Sequence, residues 1–223
     1  MKLNEGWVPV ALSAAVEAGT SAGALVEGYE IVVWRDNSGA AHVWEDRCPH
    51  RGMRMSFGFV RGDHIACLYH GWQYDTAGQC RHIPAHPTLD VPQTIKVPTY
   101  RAAERYGIVW ATSAQDAALP ETGAGGDVTP IRSLYVDRAI AAVKAAFAAE
   151  GMTGLSQDAG LLASAEGTLL LAFQQVSADR TAVHIVLLDR HAADGGARQK
   201  QIAQWAEKLR FDLETAAVAA EVA

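Results

Sequence analysis

Two short motifs constrain this chain more than anything else in it. Cys48-Pro49-His50 reads C-x-H and Cys67-Leu68-Tyr69-His70 reads C-x-x-H, with sixteen residues, 51 to 66, between them. Each motif places one thiolate and one imidazole on a short loop, and paired loops of this kind can grip metal between them. One tetrahedral zinc is one solution. Structural zinc sites of this ligand set usually part their first two ligands by two or more residues, whereas only Pro49 parts Cys48 from His50. The spacing suits a two-iron cluster better, in which each loop gives its sulfur to one iron and its nitrogen to the other.

The surroundings of the motifs read as β-structure. Runs rich in β-branched and aromatic residues, Tyr29 to Arg35 and Ala41 to Glu45, flank the turn signal Asp36-Asn37-Ser38-Gly39. Ile65 to Leu68, Gln73 to Asp75 and Gly107 to Ala111 are further predicted strands. Residues 1–114 are therefore expected to form an all-β domain of small antiparallel barrel or sandwich type. Residues 115–130, with Pro120, Gly123, Gly125, Gly126 and Pro130, read as a linker. Residues 131–223 read as a smaller α+β region. A helix capped by Asp137 should run to about Glu150, with Ile140, Val143 and Phe147 on one face and Gly151 as its stop. A hairpin of Thr168 to Val176 and Thr181 to Asp189 should turn at residues 177–180. A long helix from Ala197 should bury Ile202, Trp205, Leu209 and Leu213.

Composition narrows the class. The 223 residues carry a net charge of −6, which argues against a nucleic-acid partner. No apolar run approaches the ~20 residues of a membrane span, and no persuasive signal segment is read, so a cytoplasmic location is expected. Three cysteines do not make a disulfide scaffold. No Gly-rich dinucleotide fingerprint occurs, so electrons must come from an external reductase.

Cys48-Pro49-His50-Arg51-Gly52 and the run Cys67 to Asp75 resemble the two cluster loops of Rieske iron–sulfur proteins. Gly6 to Val10, Ile83-Pro84-Ala85 and Glu104 to Trp110 are similar to the Rieske domain of ring-hydroxylating oxygenases, so the resemblance covers residues 5 to about 114. It implies a 2Fe-2S cluster with Cys48 and Cys67 on a buried iron and His50 and His70 on an outer one. It gives Gly52 and Gly71 to tight turns, Trp72 to packing or shielding, and Tyr74 to a hydrogen bond on a cysteine sulfur. Cys80 reads as a structural thiol, Arg51 either as a solvated surface group or as a contact to a carboxylate or partner, and His82 and His86 as surface loop groups, with lining of an electron-exit face as the alternative. Respiratory-complex Rieske proteins carry an extra cysteine in each loop and a serine where Trp72 stands. Met53 and the Leu68-Tyr69 pair offer no such bridge, and fewer hydrogen bonds to sulfur imply a potential below about 0 mV.

Rieske oxygenases hold a second, mononuclear iron on two histidines and a carboxylate. Beyond residue 115 only His184 and His191 occur, with Asp189 and Asp194 near them, and they match no such motif, so a mononuclear Fe(II) is not expected. The hairpin and last helix resemble the end of the oxygenase catalytic domain in a shortened form. The resemblance thus implies an electron carrier between a reductase or ferredoxin and an oxygenase subunit, possible as a homo- or hetero-oligomer. An oxygenase subunit completed by a partner chain, or a redox sensor, are the alternatives.

Overall fold

The computed structural model describes residues 3, 6–123, 127–189 and 196–221. The chain opens with β1 (Val8–Leu12), β2 (Ser21–Val26), β3 (Tyr29–Arg35) and β4 (Ala41–Glu45). Four short strands follow: β5 (Phe59–Arg61), β6 (His64–Ala66), β7 (Gln73–Asp75) and β8 (Cys80–His82). Next come β9 (Thr99–Arg105) and β10 (Ile108–Thr112), then β11 (Thr129–Val136), α1 (Ile140–Ala149), β12 (Thr153–Ser156), β13 (Ala159–Ser164), β14 (Gly167–Ser177), β15 (Arg180–Leu187) and α2 (Ala197–Glu221).

Three antiparallel sheets result. The first, in the order β1-β10-β9-β4-β3-β2, curls around Val10, Val26, Ile31, Val33, Val43 and Val109. Alternation explains the fold of β3. Ile31 and Val33 face this interior, while Val32 and Trp34 face a second core beneath the four-stranded sheet β5-β6-β7-β8. The turn between β3 and β4 is built by Asp36, whose Oδ1 accepts the N–H groups of Ser38 (2.9 Å) and Ala40 (3.0 Å). The β2–β3 hairpin turns on Glu27 and Gly28, with φ of 52° and 81°, the left-handed pair that a two-residue hairpin needs. Their N–H groups donate to the carbonyls of Gln175 and Val176 at 2.7 Å, which joins this hairpin to β14.

The third sheet has the order β11-β15-β14-β13-β12 and is covered on both faces. Leu169, Leu171 and Phe173 of β14 pack with Val143, Phe147, Ile202 and Ala206 of the two helices. The alternate residues Leu170 and Ala172 pack with Trp7, Leu12, Ile108 and Trp110 of the first sheet. Double burial is why β14 reads as a continuous apolar run. Ala117, Leu119 and Val128 join this shared core, and Trp7 Nε1 donates to the Ala117 carbonyl at 2.9 Å.

Several elements differ from the sequence reading. Asp137 does not cap α1. The cap position is Ala139, without a side-chain hydrogen bond, and Asp137 instead pairs with Arg180 at 3.3 Å. Gly151 does end the helix, with φ of 96°. β6 stops at Ala66, because residues 67–71 leave the strand to form a loop around Cys67. No helix among the described residues is long and apolar enough to cross a membrane.

Candidate metal centre

Two loops of the same design face each other at one end of the four-stranded sheet. In the first, the Cys48 N–H donates to the Met53 carbonyl and the Gly52 N–H to the Cys48 carbonyl, both at 2.8 Å. In the second, the Cys67 N–H donates to the Trp72 carbonyl and the Gly71 N–H to the Cys67 carbonyl, both at 2.9 Å. Gly52 and Gly71 close the two loops at φ of 71° and 68°, a conformation that side chains disfavour. At Gly71 a Cβ would also stand 3.2 Å from Pro84 Cγ. The tight-turn role read for both glycines holds.

The loops sort their donors by depth. Cys48 and Cys67 are 3% and 2% exposed and belong to one core with Met55, Ile65, Tyr74 and Cys80. His50 is half-buried and His70 is exposed. The imidazoles meet edge-on, with ring centroids 4.6 Å apart. All three cysteines are free thiols.

The thiols carry the electrostatics of the site. The hydrogen bond from Cys67 holds Cys48 well below the usual thiol range, helped by Tyr74 and by the N–H groups of His50 and Arg51. The same contact pushes Cys67 far up, opposed by the N–H groups of Tyr69 and His70. Two sulfurs this close cannot both ionise without a cation beside them. The Tyr74 hydroxyl lies 3.2 Å from Cys48 Sγ, the contact read from the sequence. Its own ionisation is pushed far up by burial and by that sulfur. His50 Nδ1 is buried without a hydrogen-bond partner. A soft, paired thiolate site fringed by amide donors, with an unpartnered imidazole nitrogen, fits an iron–sulfur cluster. No three His, Cys, Asp or Glu side chains among the described residues converge as donors to a single ion.

The other residues singled out fall around this centre or away from it. Trp72 is half-buried against the core and stacks on His50. Cys80 is buried in β8, Arg51 and His86 are exposed, and His82 is half-buried. His184 sits inside the third sheet, where Ser133 Oγ and Gln174 Oε1 each lie 2.8 Å from one of its ring nitrogens. His191 and Asp194 lie outside the described residues.

Residues 6–101 match the Rieske [2Fe-2S] domain, the class of metal centre that these loops define. The chain thus carries a Rieske domain, with the Rieske 2Fe-2S cluster that such a domain implies, and its relatives include Rieske oxygenase subunits. It is 36% identical over 115 residues to oxidoreductase NdmD of Pseudomonas putida, and 35% identical over 121 residues to the oxygenase subunit of 3-chlorobenzoate-3,4-dioxygenase of Comamonas testosteroni. These matches take in 51% and 53% of this chain and 20% and 28% of the relatives. The chain therefore spans under a third of the length of these curated relatives. The likeness of fold extends further. The structure of NdmA from Pseudomonas putida CBB5 superposes with a TM-score of 0.74 over 94% of this chain and 79% of that one, at 18% identity. Dicamba monooxygenase bound to dicamba does so with a TM-score of 0.75 over 96% and 88%, at 15% identity. The all-β domain followed by an α+β region thus shares its fold with NdmA and dicamba monooxygenase.

Proposed function

We propose that this chain carries single electrons from a reductase or ferredoxin to an oxygenase active site. In this reading Cys48 and Cys67 hold the buried iron of the cluster, and His50 and His70 hold the outer one. A Rieske unit of residues 1–114 is joined through 115–130 to an α+β unit of 131–223. When bound, the cluster supplies reversible one-electron storage. The protein's part is to hold two thiolates away from water, aim amide donors at sulfur and bring an imidazole to the surface. The observation that carries the reading is the depth order of the donors, from thiols 2–3% exposed to the exposed ring of His70. A surface imidazole gives an electron a short way out to a docked partner. Free cysteines suit a reducing compartment such as the cytoplasm.

His184, the only histidine described beyond residue 115, is tied at both ring nitrogens, which favours a carrier over a chain with its own mononuclear iron. The rival reading, an oxygenase subunit, draws on the oxygenase-type fold across nearly the whole chain. Iron analysis of the purified holoprotein separates them. Two irons per chain, with no oxygen consumption on adding reductant, is the expected result. Three irons, with oxygen-dependent conversion of an organic substrate, would overturn it.

Tyr74 gives a second measurement. Its hydroxyl favours the more negative, reduced form of the cluster. Tyr74→Phe should therefore lower the midpoint potential by about 40 mV, taking one neutral hydrogen bond as ~1 kcal/mol and a one-electron couple. Redox titration followed by electron paramagnetic resonance checks this, with iron content unchanged.

A further inference from the structure

Metal-binding histidines usually have their ring planes set by a hydrogen bond from the second ring nitrogen to a carboxylate, carbonyl or water. Neither His50 nor His70 has a side-chain hydrogen bond or ion pair to a described residue. Each of the two imidazoles has an aromatic neighbour. Trp72 lies parallel to His50, with centroids 4.2 Å apart and planes 5° apart. Tyr69 covers His70 at 3.9 Å and 34°. With the edge-on meeting of the two imidazoles at 4.6 Å, Trp72, His50, His70 and Tyr69 form one continuous series of ring contacts.

The ends of this series are anchored differently. Trp72 packs against the core that contains both thiols, so its plane is fixed from inside. Tyr69 is 57% exposed and is placed by its position in the loop between Cys67 and His70.

We propose that Trp72 and Tyr69 are positioning residues that fix the ring planes of His50 and His70. The inference rests on these histidines binding the outer iron. Rings held on one face by an aromatic neighbour cannot rotate about the metal–nitrogen bond without losing that contact. Imidazoles so held would keep the same ring planes whether a bound cluster is oxidised or reduced, which would speed electron exchange.

The test uses the reduced holoprotein and the pairs Tyr69→Phe with Tyr69→Leu and Trp72→Phe with Trp72→Leu. Electron paramagnetic resonance with pulsed detection of the histidine nitrogens is the main readout. Tyr69→Phe keeps a ring and should superpose on the parent protein. Tyr69→Leu should keep full iron content but broaden the lines, alter the coupling of one histidine nitrogen, and slow electron exchange with a small soluble oxidant about tenfold, the low end of the effect of losing a ligand's supporting contact. Trp72→Leu should alter the other histidine. Trp72 is part of a core, so a Trp72→Leu protein that fails to assemble leaves the decision to the exposed Tyr69 pair. Parent-like line widths, nitrogen couplings and rate in Tyr69→Leu would overturn the proposal. A parent protein without a Rieske-type signal would defeat the ligand assignment instead.

Discussion

Cys48→Ala should yield a protein without colour or iron, and with a first domain that melts several kcal/mol too easily. Cys48 is 3% exposed, touches the Tyr74 hydroxyl at 3.2 Å, and shares its hydrogen bond with Cys67. Alanine removes one of the two thiolates proposed for the inner iron. Cluster binding is part of the folding free energy of such a site, so the loss falls on assembly and stability together. Cys80→Ala is the control. Cys80 is 1% exposed in the same core but is not among the proposed ligands, so its loss should cost only the packing of one sulfur, about 1 kcal/mol, with the cluster retained. Visible absorbance, iron analysis and thermal melting of the two variants check the contrast. A Cys48→Ala protein with native β circular dichroism and an unshifted melt would contradict it.

Acid should weaken the third sheet through His184. Burial lowers this imidazole to about 4, against an ordinary value near 6.5. Its nearest polar partners, Ser133 and Gln174, are uncharged, so nothing compensates a proton there. The native state then keeps the ring neutral while the unfolded chain takes up a proton below pH 6.5. Stability is fully present above that pH and falls as the pH drops toward 4. Between pH 7 and pH 4.5 the loss comes to about 2.5 kcal/mol. Urea unfolding of the parent and of His184→Leu at both pH values isolates it. The parent should lose that much more than the variant, since every other titrating group is common to both. Equal losses would show that His184 does not titrate as its burial requires.

How much of this could be read beforehand depended on how local each signal was. The metal loops were legible because each packs a thiol, an imidazole and a turn glycine into five residues, and the structure gives both the same hydrogen-bond pattern. β3, β4 and β7 were legible from alternation bounded by turns. β11 was not, since Thr129-Pro130 looks like the end of a Gly/Pro-rich stretch, and its pairing with β15 is a long-range contact. β12 and β13 were hidden by small residues, Thr153-Gly154-Leu155-Ser156 and Ala159-Gly160, that pack only once β14 is beside them. Asp137 has the chemistry of a cap, but β11 runs to Val136 and Arg180 draws the carboxylate elsewhere. His184 sits in a plain strand pattern, and its partners lie 51 and 10 residues away. The stacking of Trp72 on His50 links two loops and leaves no trace in spacing.

Because Leu170, Ala172 and Val186 are wedged beneath Trp7, Leu12, Ile108 and Trp110, the half with the two cysteine–histidine loops owns only part of its hydrophobic interior. A fragment trimmed after residue 114 would lay bare a greasy underside that the intact polypeptide never shows to water, and self-association would follow. Any recombinant dissection or gene fusion built on this scaffold has to carry the later strands along, even where only the redox chemistry of the earlier ones is wanted.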